Sequence, residues 1–156
     1  MKTVTIAGHL LEYNTHEDLV KQALQYNVRI GSGVRIGADV RIGCDVYIGS
    51  DVIIGFGVRI GAGVRIGSNG YIDPGVRGVV MKVTSFSRIY KYDSAIIETK
   101  HPIYIRMGCF TRTVNEWRED FWNNDREFLK GSEEGARRLL AFNIKMDVLG
   151  LPRLEG

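Results

Sequence analysis

Residues 28–67 read "VRIGSGVRIGADVRIGCDVYIGSDVIIGFGVRIGAGVRIG", one six-residue phrase repeated with little variation. Isoleucine recurs at every sixth position from Ile30 to Ile72, and a valine stands two positions before most of these isoleucines. Val-x-Ile puts two apolar side chains on one face of a short strand and the middle residue on the other. Such a strand cannot bury its apolar face alone, so the pattern predicts coils stacked on one another around Val and Ile.

Each repeat also contains a predicted corner. The glycine that follows most of the isoleucines is itself followed, two residues later, by Gly, Asp or Asn, the residue types that tolerate a left-handed backbone. These corner positions are Gly33, Asp39, Asp45, Asp51, Gly57, Gly63, Asn69 and Gly75. Corners this closely spaced leave strands too short for a meander of hairpins, so stacked coils remain the interpretation.

This pattern resembles the hexapeptide-repeat family, whose coils form a left-handed parallel β-helix. The resemblance covers about a third of the chain, and its false-positive risk is low. It implies that three repeats form one coil, so that residues eighteen positions apart stack, and that the protein is a homotrimer with ligand-holding clefts between subunits. The expected fold is mainly β, a short left-handed parallel β-helix with an N-terminal helix and a C-terminal strand-plus-helix cap.

The chain is predicted to have four segments. They are a strand and helix cap (1–27), the β-helix (28–78), a strand excursion with a last partial coil at "IYIRMGC" (79–112), and a C-terminal helical cap (113–156). A strand or hairpin also fits the alternation in the third segment.

Three helix starts are predicted from capping signals. Thr15 with Asp18 and Thr113 with Glu116 have the spacing of a capping box, and Ser132 precedes acidic residues in a third helix. In the first helix the apolar face is expected to carry Leu19, Ala23 and Leu24.

Arginine occupies many of the outward positions of Val-x-Ile. An eighteen-residue stack predicts three outer faces: Arg29, Tyr47 and Arg65; Arg35, Ile53 and Tyr71; and Arg41, Arg59 and Arg77. Like charges on neighbouring strands are unfavourable unless something negative lies beside them. Carboxylates from the caps or a neighbouring subunit are one explanation, and an anionic ligand is the other. The second face, with Phe56 nearby, is apolar where exposure is expected, which is typical of a contact surface.

The guanidinium fork of arginine suits phosphate or carboxylate, and tyrosine offers a ring for stacking. The prediction is therefore a site for a small anionic, nucleotide-like ligand, lined by Arg41, Arg59, Arg77, Arg29, Arg65, Tyr47, Tyr71, Arg88 and Tyr90. Arg88, Tyr90 and Tyr92 are expected on one face of a strand. Trp117, Phe121 and Trp122 are expected to pack in the protein, with an aromatic wall for a ring as the alternative.

The resemblance also implies that the protein could be an enzyme, because most members of the family are acyltransferases with a histidine general base. Of the three histidines, His101 lies at the base of the expected excursion, where Glu98 could orient it. The zinc-dependent carbonic anhydrases of the family need histidines on the coils. None lies between Val28 and Gly78, so zinc and other metals are not expected, nor is a cofactor.

The composition of the chain further limits the functions that are expected. A net charge of +3 speaks against a general binder of duplex nucleic acid, and Cys44 and Cys109 lack a metal or disulfide pattern. The N-terminal residues lack the apolar run of a signal peptide or membrane span, which favours a cytoplasmic protein without membrane contact.

The leading prediction is a non-catalytic homotrimer that holds or sequesters a nucleotide-like anion in clefts between subunits. The tail from Cys109 resembles tails of small phage-encoded hexapeptide proteins, which would suit a phage protein that captures a host nucleotide signal. Two alternatives stay open: an acyl-CoA-dependent O- or N-acyltransferase with His101 as base, and a structural trimer that recruits a protein partner.

Overall fold

The computed structural model describes residues 1–123 and 127–156, and the chain divides into two compact units. Unit 1 consists of Met1–Thr84 and Ile97–Ile103, and unit 2 consists of Ser85–Ile96 and Tyr104–Gly156. The four-segment division stays a prediction, and residues 124–126 of its C-terminal segment lie outside the described residues.

Unit 1 is built mainly from two-residue strands. Its elements are β1 (Lys2–Ile6), β2 (His9–Tyr13), α1 (His16–Leu24), β3 (Arg29–Ile30), β4 (Arg35–Ile36), β5 (Arg41–Ile42), β6 (Tyr47–Ile48), β7 (Ile53–Ile54), β8 (Arg59–Ile60), β9 (Arg65–Ile66), β10 (Tyr71–Ile72) and the start of β11 (Val79–Phe86). Three parallel ladders result, in the orders β3-β6-β9, β4-β7-β10 and β1-β5-β8-β11. The predicted mainly β class and the parallel β-helix are confirmed.

The eighteen-residue register holds through the coils. Arg29 lies opposite Tyr47, which lies opposite Arg65, and Arg41 lies opposite Arg59. The middle residue of each repeat points outward, while the valines and isoleucines form the core, with Val52 and Ile48 fully buried. Stacked apolar residues thus stabilise strands that are too short to fold separately.

The corners have the predicted left-handed backbone at all but one position. Asp39, for example, has a φ of 57° and Gly33 a φ of 70°. Gly75 is the exception, because its φ is not positive and its amide donates a hydrogen bond of 2.7 Å to the Asp73 carboxylate. The last predicted corner is therefore wrong, and the hexad pattern ends there.

Coil stacking requires the glycine that directly follows the isoleucine of a repeat, which is not the corner residue. A Cβ atom on Gly43 would lie 2.6 Å from the Ala62 backbone nitrogen of the next coil. Gly67 lies in the last full repeat, and a Cβ there would meet nothing within 4 Å. Close approach of backbones, not a left-handed turn, explains the glycine after the isoleucine in the repeats from Gly31 to Gly55.

Helix α1 begins at the predicted cap. The Thr15 hydroxyl accepts a hydrogen bond of 3.1 Å from the Asp18 amide, as an N-cap residue does. Leu19 and Ala23 are buried as expected. Leu24 is 54% exposed, so its assignment to the apolar face is wrong.

Unit 2 combines β-strands with two helices. Its elements include parts of β11, β12 (Ser94–Thr99) and β13 (Ile103–Met107), followed by β14 (Phe110–Thr113), α2 (Val114–Asp120) and α3 (Glu133–Leu149). Strand β13 pairs antiparallel with β14, with Tyr104 opposite Thr113. This antiparallel pairing fits the hairpin alternative for "IYIRMGC", and a last partial coil at this segment stays a prediction.

Both helix starts in unit 2 match the sequence. Thr113 and Glu116 form a reciprocal capping box, and the Ser132 hydroxyl accepts a hydrogen bond from the Gly135 amide. Trp117 is fully buried in unit 2, and its Nε1 donates a hydrogen bond of 2.7 Å to the Ile105 carbonyl. Packing, the favoured expectation for this tryptophan, is what the structure shows.

Candidate functional site

Two exposed arginines lie side by side on the β1-β5-β8-β11 ladder. Parallel pairing places Arg41 of β5 opposite Arg59 of β8, and neighbouring strands are about 4.8 Å apart. Thr5 of β1 lies opposite Arg41 on the other side, and Val79 of β11 lies opposite Arg59. We call the surface formed by Thr5, Leu10, Arg41, Arg59 and Val79 the Arg41 face.

The register corrects the prediction for Arg77. This residue was expected to stack on Arg59, but Val79, two residues later, takes that place. The loss of the last regular corner at Gly75 accounts for the shift, because the chain leaves the six-residue period before β11 begins. The arginine stack on this ladder is therefore a pair, not a triple.

Five of the coil arginines have no acidic partner in the part of the chain that the structure describes. No carboxylate of residues 1–123 or 127–156 lies within 4.0 Å of Arg29, Arg35, Arg41, Arg59 or Arg65. The side chains are exposed. Carboxylates from this chain's described caps therefore do not explain the arginines, and a neighbouring subunit or a ligand remains.

Two surface depressions flank the Arg41–Arg59 pair. One has a volume of about 380 Å³ and includes Thr3 and Asp39, and the other has a volume of about 750 Å³ and includes Cys44 and Val79. Both include Thr5, Leu10, Arg41 and Arg59. Leu10 is 66% exposed on the β1-β2 hairpin, so the guanidinium pair stands beside apolar surface. The sequence pattern did not indicate Thr5 or Leu10, because they precede the repeats.

A second group of predicted ligand residues lies on another ladder. Arg29, Tyr47 and Arg65 stack in that order on β3-β6-β9, with Tyr47 half exposed. One chain therefore does not bring this group together with Arg41 and Arg59, because different sheets carry them.

The third ladder carries the predicted contact surface. Arg35, Ile53 and Tyr71 stack as expected on β4-β7-β10. Ile53 is 38% exposed and the nearby Phe56 is 58% exposed, whereas Tyr71 is half-buried and has a contact within the protein. Ile53 and Phe56 are thus exposed apolar side chains, and the role of this ladder as a contact surface stays a prediction.

The last two predicted ligand residues lie in unit 2. Tyr90 borders a cavity of about 580 Å³, together with Tyr92 and Phe128, whereas Arg88 is not among the residues that line it. Arg88, Tyr90 and Tyr92 were predicted to share a strand. They lie between β11 and β12, outside any strand, and Arg88 has a φ of 60°. The prediction of one strand face for Arg88, Tyr90 and Tyr92 is therefore wrong.

The candidate base His101 lies in the exposed connection between β12 and β13. It makes no hydrogen bond to Glu98 or to any other residue of the described chain. The expected orientation by Glu98 is thus not seen, and a catalytic role stays a prediction.

Thiol and metal chemistry have little support in the described residues. Both cysteines are free, and hydrogen bonding to Asp45 raises the pKa of the Cys44 thiol. No group of three or more potential metal ligands occurs within 1–123 and 127–156. Within the same ranges, the helices are too short or too polar to cross a membrane.

Comparison with known proteins supports the repeat itself. Residues 27–62 match the family model described as bacterial transferase hexapeptide (six repeats). Searches of curated proteins and of solved structures gave no significant match to the chain. The matched segment contains none of the three histidines, so the match concerns the scaffold. Residues 27–62 are therefore similar to the hexapeptide repeat of this family, and the parallel ladders agree with a β-helix-like scaffold.

Proposed function

We propose that the protein is a non-catalytic binding protein that holds a small anionic, nucleotide-like ligand on the Arg41 face. The observation that carries the proposal is the exposed Arg41–Arg59 pair, which lacks a carboxylate partner in the described chain. Like charges directly opposite on neighbouring strands destabilise a sheet. A bound anion between the two guanidinium groups removes that repulsion.

The surroundings of the pair suit a ligand with both charge and a ring. Two guanidinium forks can each bind a phosphate group through paired hydrogen bonds. Leu10 and Val79 are exposed apolar side chains on either flank, and they offer a surface for the flat face of a base. The depressions of about 380 and 750 Å³ lie in the size range of small-molecule sites.

A homotrimer would complete the site in this proposal. Hexapeptide-repeat proteins commonly trimerise. The Arg29–Tyr47–Arg65 ladder lies on a different sheet from Arg41, so its contribution to the same ligand requires another copy of the chain. Three equivalent clefts would then hold three ligands, as suits a protein that sequesters a nucleotide signal. A phage protein that captures a host nucleotide signal would have such a role.

Isothermal titration calorimetry with AMP, ADP and a cyclic dinucleotide tests the proposal. The double variant Arg41→Ala/Arg59→Ala should weaken binding of the best nucleotide by at least about 100-fold, since each lost charge-assisted bond costs about 1.5–3 kcal/mol. Arg35→Ala is the matched control, because it removes an outward arginine from a different ladder. The affinity of the Arg35→Ala variant for the same nucleotide should stay within about twofold of the wild-type value.

Two results would overturn the proposal. One is binding that survives the double substitution, and the other is the absence of binding to all three nucleotides. Acetyl-CoA turnover that disappears in His101→Ala would instead establish the acyltransferase alternative.

A further inference from the structure

The cavity in unit 2 is lined by aromatic rings and charged groups that belong to that unit alone. Tyr90, Tyr92, Phe110 and Phe128 border its volume of about 580 Å³. The Tyr90 and Phe128 ring centroids are 5.8 Å apart, and the Tyr92 and Phe128 centroids are 6.2 Å apart. Burial raises the pKa of the Tyr90 hydroxyl, so that this side chain stays neutral. The cavity therefore has the size and the apolar walls of a small-molecule site.

A buried cation faces this cavity. Arg138 is 4% exposed, and its guanidinium lies 4.8 Å from the ring centroid of Phe128 and 4.9 Å from that of Phe121. Its one hydrogen bond within the described residues runs from Nη1 to the Phe121 carbonyl oxygen at 2.9 Å. An arginine has five N–H donors, so donors remain for a ligand.

The charge of Arg138 has no carboxylate partner in the described residues. No carboxylate of 1–123 or 127–156 lies within 4.0 Å of it, and burial lowers its pKa. A buried charge without a counter-ion is strongly unfavourable. An anion in the cavity would place a negative charge beside the Arg138 guanidinium.

Other charges around the cavity are largely accounted for. Lys91 pairs with Glu127, and Arg112 lies 3.9 Å from Asp120. Arg106 also lines the cavity and has a contact within the protein, while Asp93 is exposed. This arrangement suits one negative charge better than the two of a phosphate monoester.

We infer that this cavity is a second binding site, for a small aromatic carboxylate whose ring packs against Tyr90, Tyr92 and Phe128 and whose carboxylate pairs with Arg138. The site does not depend on the Arg41 face. Its residues come from unit 2, and those of the Arg41 face come from unit 1.

Three naphthalene probes with one ring system separate the contributions in the full-length protein. They are 1-naphthoate, its neutral amide, and 1-naphthyl phosphate. Calorimetry should show naphthoate binding at least about tenfold tighter than the amide, because one charge-assisted pair is worth about 1.5–3 kcal/mol. The phosphate should bind more weakly than naphthoate. Phosphate binding equal to or tighter than naphthoate would contradict the choice of a monoanion.

Arg138→Met removes the charge while keeping a long apolar side chain. It should reduce naphthoate affinity to within about twofold of the amide's, and Arg137→Met, on the exposed side of α3, should leave affinity unchanged. Equal binding of naphthoate and amide to the wild-type protein would overturn the inference even if Arg138→Met fails to fold, as would no binding of either. The Arg41→Ala/Arg59→Ala variant should bind naphthoate normally, so that failure here is distinguishable from failure of the proposed function.

Discussion

The coil arginines of unit 1 and two cations of unit 2 lie in opposite environments. In unit 1 the arginines occupy the outward position of each repeat and are exposed, while the core holds Val and Ile. In unit 2, Arg138 and Lys145 lie on the buried side of α3, beside Phe142 and Met146. Exposed cations cost little and are free to bind partners, whereas buried ones affect stability directly. The difference shows that a charge count for the whole chain says little about what each charge does.

The largest expected effect tests how the coils of unit 1 stack. Gly43→Ala would put a Cβ 2.6 Å from the Ala62 nitrogen, and backbone atoms have little room to move. We expect a loss of about 3 kcal/mol in the free energy of unfolding, at the upper end for overpacking. Urea denaturation followed by circular dichroism measures it.

Gly67→Ala is the matched control, with the same repeat position but no coil above it. Its φ is not positive, so the substitution should stabilise the protein by about 0.4–1 kcal/mol through the unfolded chain. Equal losses for the two variants would show that the glycines serve some purpose other than stacking.

The next effect concerns the buried lysine of unit 2. Lys145 is fully buried, with Nζ 3.0 Å from the Ala141 carbonyl oxygen, and burial lowers its pKa from 10.5 to about 8. Below pH 8 the amine is protonated in both folded and unfolded states, and its burial costs free energy. Lys145→Met should therefore stabilise the protein at pH 7 by about 2–3 kcal/mol.

The lowered pKa of Lys145 also fixes the direction in which the free energy of unfolding changes with pH. Between the lowered pKa of about 8 and the ordinary 10.5, the unfolded chain binds the proton more than the folded chain does, so wild-type stability rises with pH. The advantage of Lys145→Met should shrink across this window in urea titrations. Arg41→Met in unit 1 should change stability by less than about 0.5 kcal/mol at every pH. A pH-independent advantage for Lys145→Met would contradict a buried charge.

A buried hydrogen bond in unit 2 comes next in size. Trp117→Phe removes the Nε1–H that donates to the Ile105 carbonyl and leaves that acceptor without this partner. We expect a loss of about 2 kcal/mol, from the unsatisfied carbonyl and the smaller ring. Thermal unfolding followed by circular dichroism would reveal it, and an unchanged melting temperature would rule out a structural role for this bond.

The smallest effects compare helix caps in the two units. Thr113→Ala removes half of a reciprocal capping box, and Thr15→Ala removes a single hydrogen bond. The expected losses are about 1 kcal/mol for Thr113 and about 0.5 kcal/mol for Thr15. Chemical denaturation of both variants gives the order, and a larger loss for Thr15 would reverse it.

The repeat region could be predicted closely because one period governs it. The six-residue spacing, together with the three repeats per coil that the family resemblance implies, placed Arg29 against Tyr47 and Arg41 against Arg59. The prediction failed at Gly75 and Arg77, where the period ends. Beyond that point no repeat relates one residue to another.

Unit 2 was harder to predict because distant segments build it. Strands in 79–112 were expected from alternation, but the antiparallel pairing of β13 with β14 depends on contacts that no local pattern specifies. Arg138 carried a usable signal, because it stands four residues before the buried Phe142 and so on the apolar stripe of α3. Tyr90 and Tyr92 were singled out in the sequence, whereas Phe128 had no such signal.

Native mass spectrometry of the protein as purified, alongside its denatured mass, tests the central claim most directly. The account predicts a trimer that carries extra mass, which is lost on denaturation and is absent from Arg41→Ala/Arg59→Ala but present in Arg35→Ala. A monomer, or added mass that persists in the double variant, would contradict the assignment of the coil arginines to a ligand held between subunits.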